Sequence, residues 1–231
     1  MNVRRLRMIA LLAALGAGPG GPIAADDDSS SSGRRFFVTV TNLTRGQQFT
    51  PLLVATHRAG VRLFTLGSPA STALATLAEE GDTGPLTALL QATPGVLEVV
   101  TAGPLLNPGA SRTVEVRASG RFDHVSVAAM LIPTNDAFFA LNGVEGPRGS
   151  ETLVFQSVAY DSGSEVNDEL CLTIPGPFFD ECGGPGGGTA PAGGEEGFVH
   201  IHAGIHGIGD MNEAQRDWRN PVARVEIRRA P

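Results

Sequence analysis

Short segments rich in β-branched residues, separated by glycine and proline turns, constrain the fold of this chain more than any other feature. From Gly95 onward they follow one another with turn sequences such as LNPGAS and ASGRFD between them. The segments are GVLEVVTAG, SRTVEVRA, HVSVAAMLIP, ETLVFQSVAYD, GFVHIHAGI and NPVARVEIRR. Such runs are typical of strands. Because strands do not alternate with helices here, the pattern predicts an all-β fold, an antiparallel β-sandwich.

Two helical segments interrupt the strands near the start of the folded region. RRFFVTVTNLT and TPLLVATH are extended candidates. In SPASTALATLAEEGD, Ser68 is expected to cap a helix, Pro69 suits its first turn, and Gly81 ends it. The segment GPLTALLQATPG predicts a second short helix that ends at Pro94 and Gly95. We expect this helical insert to lie over one edge or end of the sandwich.

The N-terminus has the order of regions found in secretory signal peptides. Arginines precede an apolar run from Met8 to Ala17, and small residues follow. The run is too short for the roughly twenty residues that span a bilayer. We therefore predict a signal peptide over residues 1–25, a flexible acidic and serine-rich linker over 26–34, and one domain over 35–231. The expected location is secreted or periplasmic, with no membrane span after cleavage.

The two cysteines and the charge balance narrow the chemistry. In an exported chain, Cys171 and Cys182 predict a disulfide, and they lack the spacing of a zinc site. The net charge of −7 argues against nucleic-acid binding.

No Gly-x-Ser-x-Gly motif is present, so we expect no enzymatic activity. A glycosidase-type pair of Asp136 and Glu165 would depend on a separation that the sequence does not measure. Trp218 is expected to be buried where the last strand begins.

The stretch AYDSGSEVNDELC places four carboxylates directly after a predicted strand. Gly163 lies between Asp161 and Glu165 and would let the backbone turn so that both face one point. Carboxylate-bearing loops at strand ends can supply the six to eight oxygens that calcium prefers. A hairpin-like pairing of the strands that end at Pro133 and Asp161 would bring Asp136 to the same end. The alternative is a solvated loop with aspartates as turn formers.

Several motifs resemble the spondin N-terminal domain family. MLIPTNDAFFALNG followed by VAYDSGSEVNDE is similar to its paired signatures, and FFVTVTNLTRGQQFTPLLVATH, FVHIHAGIHGIGD and DWRNPVARVEI resemble its secreted bacterial members. The resemblance covers Phe36 to Arg228. It implies a C2-like β-sandwich with a calcium ion near one end, bound by the positions that match Asp136, Asp161 and Glu165.

The same resemblance implies a function in adhesion and recognition. Animal members usually have aspartate where this chain has Glu165, whose side chain is one methylene longer. We therefore predict an exported calcium-binding module whose partner is an unknown extracellular protein, glycan or surface ligand. Asp168 and Glu169 are expected to solvate the loop, with Asn167 or Asp168 as an alternative cap of a turn.

The motif HIHAGIHG suggests a second kind of metal site. In a strand, His200 and His202 project to one face, and with His206 they could form a transition-metal site or the centre of a metalloenzyme. Further ligands would have to come from His57 or His124. Partly buried imidazoles that hydrogen-bond to the loop backbone explain the motif equally well.

Overall fold

The computed structural model describes residues 33–231 except Thr189 and Pro191. The predicted signal peptide over 1–25 and nearly all of the predicted linker lie outside the described residues. The first strand begins at Arg34, at the predicted end of the linker. Among the described residues, no helix combines the length and the apolar character needed to cross a membrane.

The described residues form thirteen strands and three short helices. The strands are β1 Arg34–Asn42, β2 Gln48–Phe49, β3 Leu52–His57, β4 Val96–Ala102, β5 Ser111–Ala118, β6 His124–Ile132, β7 Ala137–Glu145, β8 Leu153–Ser157, β9 Ala159–Asp161, β10 Phe178–Phe179, β11 Gly184–Pro185, β12 His200–Ile201 and β13 Ala223–Arg229. The helices are α1 Thr72–Glu80, α2 Gly84–Ala92 and α3 Glu213–Arg216, and a 3-10 turn covers Asp180–Cys182.

Two antiparallel sheets make up the sandwich. The smaller sheet has the order β5, β1, β13, β8. The larger sheet has the order β12, β9, β7, β6, β3, β4, and β2 pairs with β6 at its side. Strands β10 and β11 form a separate two-stranded ribbon. The all-β prediction, an antiparallel sandwich with a short helical insert, is confirmed.

The main core lies between the two sheets. In β1, Phe36, Val38 and Val40 are fully buried, whereas Thr39 faces outward and shares a hydroxyl hydrogen bond with Thr113 of β5 at 2.7 Å. This alternation has the period of two that a strand with one solvated face requires. The smaller sheet therefore packs on one side only.

The larger sheet is buried on both faces, and α1 and α2 cover the outer one. Leu53 of β3 and Phe138 of β7 belong to a second hydrophobic cluster with Leu74, Leu77 and Leu86 of the helices. The helical insert thus lies over a sheet face, and the prediction that it covers an edge or end is wrong. The continuous apolar sequence of β3 and β6 requires a cover on each side, and the helices provide the second.

Helix α1 begins later than the sequence predicts. Ser71, not Ser68, is the N-cap, because its side chain accepts a hydrogen bond from the backbone N–H of Leu74 at 3.2 Å. At the other end, Gly81 adopts φ 68° and donates its N–H to Leu77 O, which confirms the predicted stop.

Candidate cation site

Strand β7 brings Asp136 and Asp161 to the same end of the larger sheet. Ala137 at the start of β7 pairs with Asp161 at the end of β9. Asp136 precedes β7 directly, so its carboxylate lies at this end too. The predicted pairing of the strands that end near Pro133 and Asp161 is wrong, because β7 lies between β6 and β9. Strand β7 was not predicted from the sequence.

The chain turns at Gly163, as predicted, and then passes over Asp136. Its φ is +66°, and a Cβ there would lie 2.3 Å from the carbonyl oxygen of Phe198. Only glycine fits this turn without strain. After the turn, the backbone N–H groups of Ser164 and Glu165 donate to Asp136 Oδ2 at 2.9 and 3.1 Å. The Ser162 hydroxyl donates to the same oxygen at 2.8 Å.

The three predicted calcium ligands are carboxylates with almost no contact with solvent. Asp136, Asp161 and Glu165 are 0%, 1% and 3% exposed. Asp136 Oδ1 and Glu165 Oε2 are buried and have no hydrogen-bond partner. Glu165 Oε1 accepts one hydrogen bond, from the N–H of Ala190 at 2.9 Å. Buried charge of this kind is costly unless a proton or a cation neutralises it.

Burial, with a smaller effect from neighbouring carboxylates, raises the pKa of all three carboxyl groups. Desolvation, followed by the charge of Asp136, raises the pKa of Asp161 to about 7. Desolvation raises the pKa of Glu165 to about 8. The pKa of Asp136 is also raised, chiefly by desolvation, although the hydrogen bonds from Ser162, Ser164 and Glu165 act against the shift. The cluster therefore favours a positive partner.

A tighter group of possible ligands overlaps this cluster. Asp161, Glu196 and His200 each place one potential ligand atom within 4.8 Å of the other two. In the described part of the chain, no other set of three histidine, cysteine, aspartate or glutamate side chains does so. Asp136 and Glu165 are not members of that set. The assignment of Asp136, Asp161 and Glu165 as calcium ligands therefore stays a prediction, and Glu196 had not been identified from the sequence.

Asp168 caps a turn, because its Oδ1 accepts a hydrogen bond from the backbone N–H of Leu170 at 3.0 Å, whereas the prediction that Glu169 only solvates the loop is wrong. Glu169 is 3% exposed and accepts hydrogen bonds from the backbone N–H groups of His206 and Ile208 at 2.6 and 3.0 Å. Asp168 Oδ1 accepts from the Thr173 hydroxyl at 2.6 Å. Both carboxylates hold the loops around the site in place. Spacing along the sequence gives no signal for these long-range contacts.

His200 and His202 both approach Asp161, but they differ in their hydrogen bonds. Their Nε2 atoms lie 3.6 and 3.7 Å from the two carboxylate oxygens. His202 Nδ1 accepts a hydrogen bond from the N–H of Gly204, and its Nε2 contacts Asn167 Oδ1 at 3.2 Å. Burial lowers the pKa of His202 to about 3. His202 is thus a buried neutral imidazole with both nitrogens occupied.

His57 and His124 lie away from this group, whereas His206 lines the same surface pocket as His202. His206 is exposed, and its backbone N–H bonds to Glu169. His57 pairs with His124, which in turn pairs with Glu145 at the far end of β7. Since β7 spans nine residues at about 3.3 Å each, His57 and His124 lie roughly 26 Å along the sheet from Asp161.

A disulfide and a glycine-rich segment hold the loops beside the site. Cys171 and Cys182 are bonded with their Cα atoms 5.5 Å apart, as predicted. Gly187 donates its backbone N–H to Cys171 O at 2.8 Å, and Gly197 donates to Gly163 O at 2.8 Å. The glycine-rich segment, residues 183–197, is therefore hydrogen-bonded to neighbouring loops through Gly187 and Gly197. Trp218 is buried, as predicted, and its ring lies 5.1 Å from that of His202.

The chain was compared with protein families and with curated proteins. A family model described as Spondin_N matches residues 37–158, just over half of the chain. The chain belongs to the spondin N-terminal domain family. This membership supports a module of the adhesion or recognition type, and together with the disulfide it is compatible with an extracellular location. The match includes Asp136 and ends before Asp161. No curated protein matches the chain.

Proposed function

We propose that this spondin-family chain is an exported, non-catalytic recognition module stabilised by calcium. Asp136, Asp161 and Glu165 would supply the carboxylate oxygens, and backbone carbonyls and water would complete the shell. The observation that carries the proposal is the pair of buried carboxylate oxygens, Asp136 Oδ1 and Glu165 Oε2, that have no partner.

The donor chemistry of these residues fits calcium. Calcium binds oxygen ligands in flexible geometry, whereas zinc and copper favour nitrogen or sulfur. Asp136 and Glu165 offer oxygen only, and none of the ion pairs in the described part of the chain joins an arginine to Asp136, Asp161 or Glu165. A divalent cation would neutralise the charge that arginine does not.

The segments around the site carry exposed apolar side chains that suit a recognition role. Large hydrophobic residues that are isolated from the core mark interaction surfaces when they gather in one region. Among the residues that follow Glu165, the exposed ones are Leu170, Leu172, Phe178, Phe198, Ile201 and Ile208. A cation that orders these loops would also fix the positions of these side chains. The partner would be an extracellular protein, glycan or surface ligand.

Thermal melting with and without calcium tests the proposal. Protein in EGTA is compared with protein in excess Ca²⁺ at pH 7.5. A ligand at a hundred times its Kd stabilises the fold by about 2.7 kcal/mol. For a domain of this size, that corresponds to a Tm rise of about 5–10 °C.

Three variants make the calcium test specific. Asp136→Asn and Glu165→Gln should abolish the calcium-dependent rise. Glu115→Gln is the matched control, because Glu115 lies half-exposed on the smaller sheet and pairs with Arg35. It should retain the full rise. A wild-type Tm that calcium does not change would refute the calcium proposal, as would an Asp136→Asn protein that responds like wild type.

A further inference from the structure

The side chain of His200 presents an unusual arrangement at the edge of the larger sheet. Its Nδ1 lies 3.1 Å from the carbonyl oxygen of Ile201, and a carbonyl can only accept a hydrogen bond. Nδ1 therefore carries the hydrogen. In a neutral imidazole, Nε2 then holds a lone pair. This Nε2 is buried without a hydrogen-bond partner, 3.6 Å from Asp161 Oδ1 and 3.9 Å from Glu196 Oε2.

A nitrogen lone pair and two carboxylates repel one another, so a positive charge is needed between Nε2 and the two carboxylate oxygens. We propose that Asp161, Glu196 and His200 form a binding site for a borderline transition-metal ion such as Zn²⁺ or Co²⁺. The site goes beyond the calcium proposal and shares only Asp161 with it. An imidazole with two carboxylates matches the nitrogen and oxygen sets of zinc sites.

The distances between the ligand atoms suit a small ion. Zinc lies about 2.0–2.2 Å from nitrogen and oxygen ligands, so two ligand atoms at a tetrahedral angle are about 3.4 Å apart. The separations of 3.6 and 3.9 Å from His200 Nε2 need only small side-chain adjustments to reach this value. Water would take the fourth position.

The surroundings of the three residues resemble the outer shell of a metal site. A metal-bound histidine commonly donates its other N–H to a backbone carbonyl, as His200 does to Ile201. The carboxylate of Asp161 is fixed by hydrogen bonds from the N–H of Gly163 at 2.7 Å and from the Asn167 amide at 2.8 Å. The side chains of His200 and Glu196 are 27% and 34% exposed, which gives an ion a path from solvent.

Neighbouring histidines are excluded from the proposed set by their own contacts. His202 accepts a hydrogen bond at Nδ1, and its Nε2 contacts an amide oxygen, so neither nitrogen offers a lone pair to an ion. His206 is exposed and is not among the clustered residues. The site therefore differs from the set of three histidines that the motif suggested.

Titration with Co²⁺, read by visible absorption and by calorimetry at pH 7.5, tests the site. The untagged mature protein should bind one Co²⁺ with the d–d bands of nitrogen and oxygen coordination, and Zn²⁺ should displace it. His200→Gln and Glu196→Gln should each weaken Co²⁺ binding at least tenfold, because even loss of an outer-shell partner costs 10- to 100-fold. His206→Gln is the matched control and should bind like wild type.

The calcium melting assay is run on the same variants to separate the two proposals. His200→Gln and Glu196→Gln should retain the calcium-dependent Tm rise, whereas Asp136→Asn should lose that rise and still bind Co²⁺. Absence of Co²⁺ and Zn²⁺ binding by wild type would overturn the inference. Equal losses in His200→Gln and His206→Gln would also overturn it, in favour of the three-histidine set.

Discussion

Glu165→Gln tests whether the fold tolerates this buried acid only when a proton or a cation neutralises it. Glutamine keeps the size of the side chain and removes its charge. Burial raises the pKa of Glu165 from 4.5 to about 8. Since the folded-state pKa lies above the unfolded value, the protonated carboxyl stabilises the fold. That stabilisation is complete below pH 4.5 and is lost as the pH rises through about 8.

The size of the effect follows from the two pKa values. At about 1.4 kcal/mol for each tenfold difference in proton affinity, the gap between 4.5 and about 8 corresponds to roughly 5 kcal/mol. Between pH 5.5 and 8.5, linkage gives a loss of about 3 kcal/mol. Over the same pH range, Asp161, with a pKa of about 7, causes a further loss of stability of about 2 kcal/mol. His202, whose folded-state pKa is lowered to about 3, has the opposite effect and contributes a gain of about 1 kcal/mol.

The assay compares melting temperatures of wild type and Glu165→Gln in EGTA at pH 5.5, 7.0 and 8.5. The contributions of Asp161 and His202 occur in both proteins, so the difference between the curves isolates Glu165. About 3 kcal/mol corresponds to about 6–12 °C for a domain of this size. We expect the Tm of the variant relative to wild type to increase by this amount between pH 5.5 and 8.5.

Calcium and a surface control complete the design. At pH 8.5, Ca²⁺ should raise the Tm of wild type and leave that of Glu165→Gln unchanged. Glu115→Gln should differ from wild type by the same small amount at every pH, because Glu115 lies on the solvated side of the smaller sheet. A difference between wild type and Glu165→Gln that stays constant or shrinks as the pH rises would show that the reasoning is wrong.

Three further predictions concern the loops around the site. Gly163→Ala should lower the free energy of unfolding by more than about 1–2 kcal/mol, measured by urea denaturation, because it combines positive φ with a backbone clash. Gly109→Ala, with positive φ but open space, should cost less, and an equal cost would contradict the role of the clash. Replacing Cys171 and Cys182 together by serine should lower stability by about 3 kcal/mol, and identical urea midpoints would contradict this. Glu169→Gln should cost about 1–3 kcal/mol and speed hydrogen exchange at the amides it caps, whereas unchanged exchange would mean that these bonds are unimportant.

The sequence alone was sufficient for the features that depend on local pattern. Runs of β-branched and alternating apolar residues predicted β1, β5 and β13, because such residues suit a strand with one buried face. The pair of cysteines predicted the disulfide. The turn at Gly163 followed from a glycine between two carboxylates, and the family motifs indicated the spondin fold.

Tertiary structure decided which side chains share one environment. Asp136 meets Asp161 because β7 pairs with β9, and Glu196 and His200 meet Asp161 because β12 pairs with β9 on its other side. Strand pairing joins residues that are distant along the chain, and no local periodicity encodes the choice of partner. The burial of Glu169 likewise depends on residues that are distant along the chain, and local periodicity does not encode it. The sequence thus supplied the chemistry of the site, and the order of the strands selected the residues that can act together.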